Sequence, residues 1–289
     1  MTCNFPVNIH IGVPKSATSS LVENFYSKHK EILNIGRPWD KGPPRALFHD
    51  SISNNKTKYG SELQKFLIGE DVSNKQIVLC DDAIISTYAF HRNVPISLKK
   101  NLPDSKILLT IRSQKTAIES NYLAQHIQST IGFNHWVKEH YDYLVATYDY
   151  CAQVEDFSLV FGKANVGVFL FEDLILNKTA FSREVCEFID VSTAIGKNLI
   201  DGPIQNRRMS SRELTYLKIR GRFFRDVTPL KFLPTWVRQK LRNLVQSGAP
   251  AEIQWDPDLL QKFEQRFRNG NLVLADLLKR DLVKLGYTT

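Results

Sequence analysis

The sequence predicts an α/β fold: a P-loop-like parallel sheet flanked by helices, with a helical C-terminal extension. Three observations predict it. Short apolar runs, each about five apolar or β-branched residues long, alternate with longer amphipathic stretches. Such continuous runs fit strands buried on both faces, and strand–helix alternation fits a parallel sheet. Beyond Phe171 the strand-like runs stop and only helical patterns follow.

In chain order, Val7–Gly12 is the first predicted strand and Ala17–Lys30 the first helix. The segment Gly36–Pro44 carries Pro38, Pro43, Pro44 and two glycines, which predicts a rigid, irregular loop of the kind that lines sites. A helix is expected over Ser61–Ile68 and a strand over Gln76–Cys80. The strand Lys106–Ile111 leads into a helix over Ser113–Gln128, and His135–Val160 reads as one long helix. Val166–Phe171 is the last predicted strand, followed by a helix over Phe181–Ile189. Arg212–Arg225, Pro234–Val245 and Pro257–Leu285 read as helices without strands between them. The whole chain, 1–289, is read as one domain, with an α/β core over 1–200 and a basic loop and helical part over 201–289.

With 289 residues, 43% hydrophobic and 24% charged, the chain can bury a full core, which excludes a disordered, collagen-like or disulfide-stapled protein. The net charge of +8 is unevenly placed. Arg207 to Arg242 holds eleven Lys/Arg and two acids, Glu213 and Asp226, so this stretch carries about +9. An anionic partner is expected: phosphate, sulfate, nucleic acid or anionic lipid. Cys3, Cys80, Cys151 and Cys186 form no CxxC pair and lack zinc-ligand spacing, so free thiols are expected. No leader pattern and no run of about 18 apolar residues is present. A cytoplasmic location without a transmembrane span is the expectation, and the sequons at Asn55 and Asn177 then carry little meaning.

Two segments carry chemistry. In Gly12-Val13-Pro14-Lys15-Ser16-Ala17-Thr18-Ser19 a buried strand ends, a short turn follows, and hydroxyl residues open a helix. Backbone N–H groups at such a start, with Lys15 as a point charge, make a cradle for a phosphate. The alternative is an ordinary turn with Ser/Thr caps. The segment is not GxxxxGK[ST], because Lys15 follows the glycine by three residues. In the second segment Arg112 ends a strand, where α/β folds place ligands, and Ser120 lies two turns into the next helix.

The first segment resembles the 5′-phosphosulfate loop of sulfotransferases, close to G-x-P-K-[SA]-[GA]-T-[TS], with Ala17 where Gly is frequent. Arg112 and Ser120 reproduce the spacing of the family's 3′-phosphate motif, R-x-P-x-x-R-x-x-S, with Gln114 and Ala117 as departures. Thr110-Ile111-Arg112-Ser113-Gln114 with Ser120-x-Tyr122 is nearer a bacterial branch that reads IRNQ…S-x-Y. Val168–Leu174 resembles a strand ending [YF]-E-D-L, and Pro203–Ser210 a basic loop before the last helices.

The resemblance implies sulfuryl transfer from 3′-phosphoadenosine 5′-phosphosulfate to a hydroxyl, or second an amine, of a small-molecule or carbohydrate acceptor. No metal is required, since Lys15 supplies charge. It further implies that Pro14, Lys15, Ser16, Ala17, Thr18 and Ser19 hold the 5′ end, and Arg112, Ser120, Arg207 and Arg208 the 3′-phosphate side. Lys15 and Asp82 are the catalytic candidates, then Asp81, with His49, Asp40 and His91 as reserve bases. Asp81-Asp82 could also simply cap the next helix. Four apolar residues before Asp-Asp also fit the metal strand of a Mg-dependent kinase or NTPase. A nucleic-acid-binding protein is the third reading, on the basic segment and its aromatics. The stretch 228–246 is a basic amphipathic helix that could touch anionic membrane, and is expected to face the core.

Overall fold

The computed structural model describes residues 3–125, 131–200, 209–216, 234–249 and 251–289. Five parallel strands form one sheet: β1 (Val7–Gly12), β2 (Ile32–Asn34), β3 (Gln76–Cys80), β4 (Ser105–Ile111) and β5 (Val166–Leu170). Their order is β2-β3-β1-β4-β5. The chain leaves β1 toward one edge, returns through β3, and crosses to the other side at β4. The C-terminal ends of β3, β1 and β4 therefore lie side by side at the change of winding direction, where open α/β sheets bind ligands.

The α/β class read from the sequence is the observed one, because the strands are buried on both faces. Ile9, Ile11, Leu79, Ile107, Leu109 and Ile111 pack into one apolar cluster. Val78, Cys80, Leu108 and Phe169 pack into a second, against Leu21, Phe25 and Phe181. The helices over these faces are α1 (Thr18–Leu21), α2 (Arg45–Ser53), α3 (Lys58–Ile68), α4 (Ala83–Phe90), α5 (Val94–Asn101), α6 (Gln114–Gln125), α7 (Phe133–Glu139), α8 (Tyr141–Tyr148) and α9 (Tyr150–Phe161). They continue as α10 (Phe171–Leu176), α11 (Lys178–Phe188), α12 (Thr193–Leu199), α13 (211–216), α14 (Thr235–Gln246) and α15 (Pro257–Leu278).

Several elements differ from the reading. The first helix is one turn, α1, continued by a π-helical turn over Val22–Tyr26. The segment read as one helix over His135–Val160 is three, α7 to α9. The chain breaks at His140 and at Asp149, whose carboxylate caps α9 by accepting from the Ala152 N–H. β2 was not foreseen, and Phe171 opens α10 instead of ending β5. α15 stops at Leu278, where Lys279 turns left-handed at φ 51°. Of the helix expected over Arg212–Arg225, only the part to Tyr216 falls among the described residues. The expectation that the helix near 228–246 faces the core is corrected: no described side chain of α14 is fully buried, and Trp236 is 68% exposed. All four cysteines are unpaired. Among the described residues no helix is long and apolar enough to cross a membrane.

Candidate active site

The loop after β1 is built by close packing. A Cβ on Gly12 would stand 2.1 Å from Thr18 Oγ1, so only glycine lets the strand end pass under the first helical turn. The Val13 N–H donates to the Thr110 carbonyl, pinning the loop to β4. The Ser16 hydroxyl and amide both donate to the Val13 carbonyl, at 2.8 and 3.1 Å. Lys15 and Ala17 are left-handed, with φ 73° and 67°. That conformation explains why the resembling family often has Gly at the Ala17 position. The Leu21 N–H donates to the Ala17 carbonyl as the helix opens. Thr18 Oγ1 is buried and has no hydrogen-bond partner among the described residues. A buried hydroxyl left without such a partner beside this loop is a group that a ligand oxygen would satisfy.

Beneath the loop three strands are tied by side chains. His10 Nε2 lies 2.7 Å from Thr110 Oγ1 on β4, and Nδ1 lies 3.2 Å from Cys80 Sγ on β3. Full burial pulls the His10 pKa down to about 3, so the ring is neutral.

Arg112 leaves the end of β4 half-buried. Its guanidinium donates to the Lys15 carbonyl at 3.0 Å and to Thr116 Oγ1 at 3.1 Å, and it stacks on Phe171 at 4.6 Å. Its own carbonyl accepts from Tyr150 OH at 2.6 Å. The adjacent Ser113 is fixed from both sides: its amide donates to Glu172 Oε1 and its hydroxyl to the Gly286 carbonyl. Tyr287 OH donates to Glu172 Oε2. Burial raises the Glu172 carboxyl above the usual range against these donors. Ser120 is half-buried two turns along α6.

The acidic pair at the end of β3 divides by environment. The Asp81 side chain is 0% exposed. It accepts from Arg45 Nε and Nη2 at 2.9 and 3.0 Å, from the Ala83 N–H at 2.9 Å, and sits 2.8 Å from His49 Nε2. Burial works to raise its pKa, but the His49 and Arg45 hydrogen bonds outweigh it and hold the carboxyl below the usual range. Asp82 is 38% exposed and pairs with Arg37 at 3.2 Å. Gly36 makes that pair possible: a Cβ there would meet the Cys80 amide nitrogen at 2.3 Å.

The electrostatics join the three strand ends. Burial and the Arg112 charge pull the Lys15 ammonium below the ordinary lysine range, and Asp82 opposes them. Lys15, Arg112 and Asp82 therefore share one field, with Pro14, Ser16, Ala17, Thr18 and Ser19 in the loop between them. The reserve bases fare unequally. His49 is brought to Asp81. Asp40 is exposed on its loop, and His91 is exposed at the far end of eight-residue α4, about 13 Å along the axis from Asp82. Arg207 and Arg208 lie outside the described residues. The sequence reading missed Arg37, Arg45, Tyr150, Phe171 and Tyr287. Only the two glycine–arginine and proline–arginine pairs bordering the Gly36–Pro44 loop hinted at the first two.

No family model matches the sequence, and no curated protein matches it. Structural likeness is clear. The architecture is similar to that of a sulfotransferase from Alicyclobacillus acidocaldarius, at a TM-score of 0.60 and 18% identity over 97% of this chain and 98% of that one. The sulfotransferase domain from the curacin biosynthetic pathway gives a TM-score of 0.46 and 13% identity, over 85% of this chain and 99% of that one. Mouse sulfotransferase SULT7A1 complexed with PAP gives 0.47 and 13%, over 93% and 86%. By the first of these matches, the fold is an α/β fold also seen in a sulfotransferase.

Proposed function

We propose that the chain transfers a sulfuryl group from 3′-phosphoadenosine 5′-phosphosulfate to a hydroxyl, or second an amine, of a small-molecule or carbohydrate acceptor. The observation that carries this reading is the convergence of Lys15, Arg112 and Asp82 around a loop whose buried Thr18 hydroxyl has no partner among the described residues. When bound, the nucleotide supplies the sulfuryl group and a phosphate that must leave. Lys15 and the loop of residues 14–19 would face the 5′ end. Arg112 and Ser120 would hold the 3′-phosphate, with Arg207 and Arg208 as further contacts. Preorganised positive charge at the departing phosphate is where such a site gains most of its rate.

Asp82 is our general base. It is the acid of the pair that reaches solvent and so an acceptor hydroxyl. Asp81 leaves that role: its oxygens are filled by Arg45, His49 and the Ala83 amide, which makes it a positioning residue. A second reading rests on the same contacts. Asp81 orients His49, so His49 could serve as base through Nδ1, which lies 3.5 Å from Thr87 Oγ1. The filled Asp81 also counts against the kinase-like reading, in which that carboxylate would hold a divalent cation.

Calorimetry with 3′-phosphoadenosine 5′-phosphate in the absence of magnesium, beside ATP with magnesium, tests the assignment. Metal-free binding that is lost in Arg112→Ala is expected. Lys15→Ala should lower turnover on the order of a hundredfold or more. Asp82→Asn should lower kcat by roughly a hundredfold while His49→Ala stays within a few-fold; the reverse ranking moves the base to His49. Binding of ATP alone, and only with magnesium, would sink the proposal.

A further inference from the structure

Hydrogen bonds tie α14 to the segment 209–211 at its C-terminal end. At its base the Ala251 N–H donates to the Met209 carbonyl and the Ser211 N–H to the Ala249 carbonyl, while the Ser210 hydroxyl reaches the Val245 carbonyl. Just beyond, the Trp255 indole N–H donates to Glu119, the neighbour of Ser120 on α6. The helix itself presents two adjoining apolar rows of i, i+4, i+8 spacing. Val237, Leu241 and Val245 are half-buried, whereas Trp236, Lys240 and Leu244 form an outer row that is exposed, with Trp236 at 68% and Leu244 at 58%. A single exposed apolar side chain is ordinary; an aligned Trp and Leu flanking a lysine is a designed surface for an apolar partner.

Charge selects the partner. Between Val227 and Ala251 the sequence holds Lys231, Arg238, Lys240 and Arg242 and no acid. Arg238 is exposed on the side of α14 away from the Trp236 row. Apolar residues with an interfacial tryptophan on one face, and only positive charge around them, match the layered chemistry of a bilayer surface with anionic headgroups. A protein partner would have to supply both an apolar groove and a surplus of acids. Duplex nucleic acid would leave Trp236 and Leu244 in water.

We propose that α14 is an interfacial helix that docks the protein on anionic phospholipid surfaces, with Trp236 and Leu244 entering the headgroup boundary and Lys240, between them on the same row, contacting the headgroups. This reading goes beyond sulfuryl transfer and does not depend on it, since binding is measured without nucleotide or acceptor.

The test is partitioning of the full chain onto vesicles of phosphatidylcholine alone and of phosphatidylcholine mixed equally with phosphatidylglycerol, at low and high salt. The wild type should bind the mixed vesicles, with a blue shift of tryptophan emission that Trp236→Ser removes, and should bind phosphatidylcholine far more weakly. Trp236→Ser with Leu244→Ser should weaken partitioning roughly tenfold or more. Lys240→Glu should cost roughly fivefold or more. Both variants change exposed side chains, and an unchanged unfolding midpoint verifies their fold. No binding of the wild type to mixed vesicles at low salt overturns the proposal, as does equal binding by the double variant. Displacement from vesicles by duplex DNA, with the same affinity for DNA in the double variant, would assign the charge to nucleic acid instead and overturn the lipid assignment.

Discussion

Lys15 sits between opposing influences: burial and Arg112 disfavour its charge, and Asp82 favours it. The net lowering has a kinetic sign. The charged form is lost at lower pH than for an ordinary lysine, whose value is about 10.4, so kcat/KM should fall on an alkaline limb that begins below that value. Lys15→Arg keeps its charge throughout and should abolish the limb, at a lower rate because a planar fork replaces a point charge. A limb that survives unchanged in Lys15→Arg belongs to another group. His10 gives a second prediction of opposite kind, on stability. Its pKa is about 3 folded, and about 6.5 is usual for an unfolded chain, so the unfolded state binds more protons between those values. Stability therefore rises with pH across that window and is flat above it for this group, at about 1.4 kcal/mol per unit within the window. Urea midpoints of wild type and His10→Gln at pH 7, 5.5 and 4.5 check this. The acid slope should be shallower in the variant. These residues were unequally legible. Lys15 and Arg112 stand in spaced motifs at strand ends, whereas His10 looked like one more strand position. Its role comes from Cys80 and Thr110, which the parallel register delivers from other strands.

At the scale of elements, β1, β3, β4 and β5 were legible because burial on both faces forces continuous apolar runs. β2 was not, since three residues are too few to show a period. The α7–α8–α9 breaks were hidden because apolar spacing carries on through His140 and Asp149, and neither residue is a glycine or proline. The docking of α15 on α6 was equally invisible. It rests on a buried amide pair: Gln114 Nε2 donates to Asn271 Oδ1 at 2.7 Å, Asn271 Nδ2 donates back at 3.3 Å and to the Thr288 carbonyl at 2.7 Å. Both amides are nearly inaccessible, so truncating one strands the other. Gln114→Leu and Asn271→Leu should each cost about 1–3 kcal/mol. The double variant should cost less than their sum, because the shared loss is counted once. Denaturant unfolding of the four-member cycle reads this directly, and simple additivity would show that the pair is not coupled.

Across the whole molecule, three stretches far apart in sequence meet behind Arg112: Ser113 on the β4 side, Glu172 on α10, and Gly286-Tyr287 beyond α15. This latch couples the helical part to the strand end that would bind the 3′-phosphate. Tyr287 is buried, so Tyr287→Ala should destabilise by about 3–5 kcal/mol. Tyr287→Phe isolates the hydrogen bond. It leaves Glu172 Oε2 buried without its hydroxyl donor, at a cost of about 1–3 kcal/mol. The sign of its pH dependence follows from Glu172, whose carboxyl is already raised by burial despite the Ser113 and Tyr287 donors. A raised carboxyl binds more protons folded than unfolded, so its contribution to stability is greatest at low pH and is lost as pH rises through the folded value. Removing the Tyr287 donor raises that value further and widens the loss. The Tyr287→Phe deficit should therefore shrink as pH is lowered below the folded value, and grow toward neutral pH. If the latch also positions Arg112, the folded variant should bind 3′-phosphoadenosine 5′-phosphate several-fold more weakly at neutral pH. Unchanged affinity with reduced stability would make the latch a purely structural tie.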